Sequence, residues 1–320
     1  KININKRVRE VKKMNKILVS GLINIETTLK VKGFPIDYFP IDYPFFGINS
    51  SVSGVGVNIT KALSTLNEEV KVVSLIARDD DGERVINTFK KEGWSTEYIS
   101  TDLKSTPQSI VLYDPTGKRS IYCDLKDIQN KTLDEEVLEK AVEDCSVVIA
   151  CNINFSRPLL KVAKKKGVLI ATDVHVLSNI EDEYNRDFME NADILFLSDE
   201  QIPCESKKFI TQLKNKFNAK IIVMGQGKKG AMMYVREEDK LYTIDAVDTR
   251  EVVNTVGAGD ALFSSFIHYY IKGNSPIEAL KRAEVFASYK IGEDGAANGF
   301  TTEENIEKMY KELRFNIEIE

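Results

Sequence analysis

The residues best placed to do chemistry lie in one run, Asn254-Thr255-Val256-Gly257-Ala258-Gly259-Asp260, followed directly by the apolar helical pattern Ala261, Leu262, Phe263, Phe266 and Ile267. Small residues at a helix start let backbone N–H groups approach an anion closely, and the helix dipole favours negative charge there. The run therefore predicts a phosphate or oxyanion cradle. Asp260, in the first helical turn, would stand beside the anion, where a carboxylate can take a proton from an attacking hydroxyl. The same run also reads as a glycine-rich turn with an acidic cap, and spacing alone does not separate the two. A second run, Ser53-Gly54-Val55-Gly56-Val57-Asn58, puts two glycines ahead of an Asn at another helix start. Glycine permits close backbone approach to a ligand, and an amide that both donates and accepts suits sugar hydroxyls. An ordinary capped turn fits that run equally.

These runs must be held by a scaffold, and the chain supplies one in which short β-branched stretches alternate with stretches of helical period. Strands are predicted over 17–20, 70–77, 147–151, 168–173, 194–198 and 221–224, and helices over 57–66, 82–91, 133–143, 157–166 and 205–217. Strand and helix in alternation imply an α/β fold with a mainly parallel sheet and helices on both faces. Helices over 258–271, 276–291 and 302–313 follow, after a hairpin pair at 231–234 and 240–244. Two segments break the alternation. Residues 27–49 hold Phe34, Tyr38, Phe39, Tyr43, Phe45 and Phe46 with three prolines, too aromatic for a solvated loop, so a cover for these rings is expected. Residues 105–123 alternate apolar and polar about Asp114-Pro115-Thr116-Gly117, as a hairpin does. Together they predict a small β-layer that closes over a ligand or pairs with another subunit.

Composition narrows the function classes. Of 320 residues, 44 are Lys or Arg and 49 Asp or Glu, a net charge of −5 that speaks against a nucleic-acid binder. Apolar runs such as 147–151 fall far short of the roughly 20 residues a membrane-spanning helix needs. Cys123, Cys145, Cys151 and Cys204 lack paired metal-ligand spacing and read as reduced thiols of a cytoplasmic protein. Residues 1–13 precede Met14 and are expected to be an extension outside the fold, leaving 14–320 as the functional domain.

Taken together, the two runs resemble the signatures of the PfkB, or ribokinase, family of carbohydrate kinases. The C-terminal signature Asp-Thr-x-Gly-Ala-Gly-Asp is matched from Thr255 to Asp260, with Asn254 for the first Asp. The N-terminal signature, Gly-Gly then three residues and Asn, is matched at Gly54 and Asn58, with Ser53 for the first Gly. The resemblance implies a ribokinase-like three-layer α/β/α body with a small β-sheet lid, here about 24–50 and 105–124. It further implies transfer of the ATP γ-phosphoryl group to a hydroxyl, usually a primary CH₂OH, of a sugar. Asp260 would be the base, and the N–H groups of Gly257, Ala258 and Gly259 the anion hole. Asn24, Glu26, Gly54, Asn58 and Arg119 would contact substrate, with Gly227, Gly230 and Thr255 beside the nucleotide.

Departures from the family pattern carry their own expectations. The family often has Asn-x-Asp where Asn24-Ile25-Glu26 stands, and Glu26 reaches one methylene further, so the preferred sugar can differ. Where many members carry Asn-x-x-Glu for Mg²⁺, this chain has Ser198-Asp199-Glu200-Gln201, leaving Glu200 or Asp199 to serve through water. Asn254 replaces an Asp that ligands K⁺ in ribokinase-like members, and a neutral amide predicts at most weak K⁺ activation. His175 reads as an ordinary strand-end residue or a ligand contact, and Asn152 as a cleft candidate. A homodimer through the lids is expected from the resemblance. Within the family a nucleoside kinase is the alternative, favoured by the lid aromatics. Outside it the alternative is a sugar-binding sensor that has lost catalysis.

Overall fold

In the computed structural model, which describes residues 16–116 and 118–320, the alternation becomes a three-layer α/β/α body with a separate small sheet. The extension expected over 1–13 lies outside the described residues. Along the chain, β1 (Lys16–Ser20), β2 (Asn24–Lys30) and β3 (Ile48–Ser53) lead to α1 (Val55–Thr65), β4 (Glu69–Ala77) and α2 (Asp80–Glu92). Three strands follow, β5 (Tyr98–Leu103), β6 (Gln108–Tyr113) and β7 (Arg119–Asp124), then α3 (Glu135–Val142), β8 (Cys145–Ala150) and α4 (Arg157–Lys166). Next come β9 (Leu169–Val176), α5 (Arg186–Asn191), β10 (Ile194–Ser198), α6 (Ser206–Lys216) and β11 (Ile221–Gly225), then the hairpin β12 (Ala231–Val235) and β13 (Lys240–Ile244). The chain finishes with α7 (Ala258–Ile271), α8 (Pro276–Lys290), α9 (Glu303–Glu312) and β14 (Ile317–Ile319).

The large sheet has the order β14-β13-β12-β11-β10-β9-β8-β1-β4-β5. From β11 to β5 every pairing is parallel, while β12, β13 and β14 add on antiparallel. Alternate residues feed opposite cores, as the two-residue strand period requires. Ile17 and Val19 of β1 join Ile59 and Leu63 of α1, Phe263 and Phe266 of α7 and Leu280 of α8. Leu18 joins Leu138 of α3, Leu159 of α4 and Phe209 of α6 on the other face. Burial on both faces explains why the central strands are continuous apolar runs.

β1 has β4 on one side and β8 on the other, so the strand order reverses there. Parallel sheets bind ligands in the crevice at the carboxyl ends of strands where such a reversal occurs. The small sheet, β3-β2-β6-β7, grows out of that end of the body. Its β2–β3 and β6–β7 pairs are antiparallel and its central β2–β6 pair parallel. Asp79 anchors its root by accepting from the Gly82 N–H (2.8 Å), the Thr106 N–H (2.8 Å) and the Thr106 hydroxyl (2.6 Å). One carboxylate thus caps α2 and holds the start of the second lid segment.

Three elements fall outside the sequence expectation: β5 and β14, both at sheet edges, and α5, which spans only six residues. Half-exposed edge strands and short helices carry little apolar periodicity, so pattern alone does not mark them. Most of the lid aromatics stand open within this chain. Tyr38, Phe45 and Phe46 are 90%, 85% and 102% exposed, so within this chain no described residue covers them.

Candidate active site

Helix α7 starts because Gly257 takes a left-handed backbone (φ 77°) as its cap, a conformation open to glycine at little cost. Ala261, Phe263, Phe266 and Ile267 then bury the helix against the large sheet and fix where its first turn points. The Gly257 and Gly259 N–H groups meet no acceptor among the described residues, whereas the Ala258 N–H donates to the Thr255 carbonyl at 3.2 Å. Unpaired donors in a first turn are what an anion requires. Asp260 is buried (8% exposed), and its Oδ2 accepts from Asn58 Nδ2 at 2.7 Å. Asn58 Oδ1 in turn accepts from Ser53 Oγ at 3.4 Å. The two sequence runs, 202 positions apart, thus meet in one hydrogen bond because α1 packs on α7. Gly54 opens α1 with φ 98°, and a Cβ there would lie 2.5 Å from the Leu22 carbonyl oxygen, so only glycine fits.

The end of β9 supplies groups with only a faint trace in the sequence. Carboxylate and imidazole atoms of Asp173, His175 and Asp260 lie within 4.8 Å of one another. The His175 N–H donates to Asp173 Oδ1 (2.8 Å), and His175 Nδ1 stands 3.3 Å from Asp173 Oδ2. Enclosure in the cleft works against the imidazolium, but the Asp173 carboxylate, its hydrogen bond and Asp260 outweigh it and push His175 up to about 9. Burial raises the Asp260 carboxyl above its ordinary range, and His175, the Asn58 hydrogen bond and Lys290 hold part of that rise back. A protonated imidazole has no lone pair for a metal, so of this trio the two carboxylates are the groups that could offer Mg²⁺ the oxygen ligands it prefers.

Of the predicted substrate contacts, Asn24 and Glu26 lie on β2 and are buried. Asn24 Nδ2 donates to Ser109 Oγ (2.9 Å), while its Oδ1 is buried with no partner among the described residues. A buried amide oxygen left open is costly unless a ligand completes it. Burial raises the Glu26 carboxyl, with Ser53 and Lys290 opposing and Asp260 and Asp294 adding to the rise. Arg119, at the start of β7, donates from Nη1 to Thr255 Oγ1 at 3.3 Å, joining the lid to the turn before α7. Asn152 is instead engaged with Asn185 Oδ1 at 3.0 Å.

The residues expected beside the nucleotide are less closely gathered. Gly227 and Gly230 bound the turn after β11, and a Cβ at Gly230 would fall 2.0 Å from the Ile244 carbonyl oxygen. The hairpin alone therefore demands Gly230. Glu200 is exposed past the end of β10 and joins no acidic or histidine cluster among the described residues. The Asp199 N–H donates to the Gly225 carbonyl at 3.0 Å, which sets Asp199 and Glu200 at the sheet's carboxyl edge. His268, by contrast, is a core residue paired with Glu68 at 2.6 Å.

The pfkB family carbohydrate kinase profile matches residues 14–303. The 5-dehydro-2-deoxygluconokinase of Clostridium perfringens is 25% identical over 293 residues, covering 82% of this chain and 85% of its own. The deoxyribokinase of Salmonella typhi is 22% identical over 321 residues, covering 94% and 99%. Among solved structures, a microbiome-derived acarbose kinase superposes with a TM-score of 0.83 at 20% identity, covering 93% of this chain and 99% of that one. Arabidopsis thaliana ribokinase, complexed with ribose and ATP, gives a TM-score of 0.77 at 19% identity over the same shares. The fold is ribokinase-like, with the small sheet as its lid.

Proposed function

The chain belongs to the pfkB carbohydrate kinase family and is a sugar-kinase phosphotransferase, and from that premise we propose that it moves the ATP γ-phosphoryl group to a sugar hydroxyl, preferentially a primary CH₂OH. The observation that carries the proposal is the buried Asp260 carboxylate, oriented by Asn58 at 2.7 Å beside unpaired N–H groups at the start of α7. Asp260 takes the proton as the acceptor oxygen bonds to phosphorus, while the bond from phosphorus to the departing ADP oxygen breaks and ADP keeps that electron pair. The unpaired N–H groups of Gly257 and Gly259 face the charge that spreads over the transferred group, while the Ala258 N–H is held by the Thr255 carbonyl. Asn24 and Glu26 hold neighbouring hydroxyls, and Gly54 lets the backbone come close to the sugar. Gly227, Gly230 and Thr255 border the nucleotide, and Arg119 reaches the substrate from the lid. Mg²⁺ bound with the nucleotide would neutralise phosphate charge, with Glu200 or Asp199 reaching it through water.

The test is ADP release with ATP and Mg²⁺ across hexoses, pentoses, 2-deoxyribose, 5-dehydro-2-deoxygluconate and nucleosides. Turnover of a sugar supports the proposal. Turnover confined to nucleosides favours the second reading, for which the exposed rings of Tyr38, Phe45 and Phe46 offer stacking surfaces. Ligand-induced shifts in Tm without turnover would make the chain a sensor.

Those rings, with Ile121 (52% exposed) and Tyr122 (61%) of β7, also support a homodimer through the lids. Sedimentation at micromolar concentration should return a dimer, and Phe46→Glu with Tyr38→Glu a monomer. A monomeric wild-type chain overturns this expectation.

Asp260 acts as a base only when ionised, so kcat falls as pH drops through its raised value. His175 lowers that value, which makes the acidic limb of the pH–rate profile a direct readout of their proximity. His175→Gln should move the limb to higher pH, because Asp173 and Glu26 then face Asp260 with Lys290 as the remaining buried cation. An unmoved limb would separate His175 from the base.

A further inference from the structure

Lys290, the last residue of α8, is wholly buried (0% exposed), and its Nζ donates to two backbone carbonyls, those of Val256 and of Gly295 at 2.8 Å. Val256 directly precedes Gly257, the cap of α7, and Gly295 belongs to the loop that follows α8. Isolated charges are buried at great cost, so an ammonium in this place needs a purpose that an aliphatic side chain would not serve. Both carbonyls lie outside helices and strands and need a donor or a cation. The surrounding carboxylates of Asp260, Asp294 and Glu26 favour the positive charge, and Arg119 opposes it. Burial brings the ammonium down to about 8, which leaves it mostly charged at neutral pH.

The neighbouring polar groups are committed as well. Asn254 Nδ2 donates to Asp294 Oδ1 (2.8 Å), and Asn254 Oδ1 accepts from the Val256 N–H (2.8 Å). The Gly295 N–H also donates to Asp294 Oδ1, at 2.9 Å. K⁺ is bound by carbonyl oxygens that replace its hydration shell, and here the Val256 and Gly295 carbonyls are already turned onto Nζ. These residues do not fit a K⁺ ion.

We propose that Lys290 is a built-in monovalent cation, its ammonium clamping the anion-hole turn to the loop after α8, so that the chain works without K⁺. The role is one of positioning and rests on the phosphoryl-transfer function proposed above. It replaces the weak K⁺ activation expected from Asn254 with none.

The test exchanges K⁺ for Na⁺ or choline at constant ionic strength and follows both kcat and Tm. Wild-type protein should show no preference in either. Lys290→Ala should lose about 10²-fold in kcat, as removal of an oriented anion-hole donor does, with the sugar KM little changed. K⁺ or methylammonium, but not choline, should restore its kcat and raise its Tm. Lys290→Met fills the same space without charge and should be inactive and beyond rescue. Activation or stabilisation of the wild type by K⁺ overturns the proposal, as does full kcat in Lys290→Met. Should neither variant fold, the wild-type comparison still decides. A wild type that turns over no acceptor would sink the kinase reading alone, because the Tm responses to cations need no turnover.

Discussion

Asp260→Asn should lose about 10³-fold in kcat, within the range a positioned general base contributes, while the protein keeps its fold and its sugar affinity. The amide is isosteric and can still accept from Asn58 Nδ2, so the α1–α7 hydrogen bond survives in kind. Stability should move the other way from activity. Burial raises the Asp260 carboxyl above its unfolded value, so the folded state binds its proton more tightly than the unfolded chain does. The carboxyl then stabilises the fold most when protonated, and that contribution is lost as pH rises through the folded value. At neutral pH its charge opposes folding, and the uncharged Asn removes that opposition. Tm of the variant should therefore equal or exceed wild type at pH 7, with the gain shrinking in acid. Differential scanning at both pH values beside the ADP-release assay checks the pair of outcomes. A variant that retains wild-type kcat would remove Asp260 as the base, and one that loses Tm at pH 7 would show that the carboxylate holds the fold together.

That opposition between stability and turnover follows from features with unequal traces in the sequence. The start of α7 was legible because a glycine cap, a small-residue turn and an apolar helical period stand side by side within 254–267. Asn58 was legible for the same reason, although its bond to Asp260 depends on two helices packing across 202 positions. Central strands such as β1 and β10 were marked by continuous apolar runs, since both their faces are buried. The Asp173–His175 pair left only a strand-end signature, which any α/β sheet produces many times. Its meaning comes from the sheet order that brings the end of β9 to within 4.8 Å of Asp260. Lys290 left no signature at all. A lysine at the end of a helix is normally solvated and favours the dipole there, and only the return of the 291–300 loop over α8 encloses it.

The same loop sets the second large effect, a contrast between two glycines two positions apart. A Cβ at Gly257 would stand 2.4 Å from the Ala296 carbonyl oxygen, and the residue already holds φ 77°. Gly257→Ala therefore costs about 1–2 kcal/mol for the left-handed backbone alone. The contact with Ala296 must also be relieved by moving either the loop or the turn before α7. Ala296 follows Gly295, whose carbonyl is held by Lys290, and the same ammonium holds Val256, so neither side yields freely. Gly257→Ala should lower Tm and reduce kcat by about 10²-fold, the usual cost of a displaced anion-hole donor. Gly259→Ala should hold or slightly raise Tm, because a Cβ there meets nothing within 4 Å and Ala suits ordinary helical backbone better than Gly. That open space is where the transferred phosphoryl group would come against the α7 N–H groups, so the added methyl should depress kcat without lowering stability. Equal kcat for Gly259→Ala and wild type would place the phosphoryl group elsewhere along the α7 start. An unchanged Tm for Gly257→Ala would mean that the turn relaxes without passing strain to Ala296.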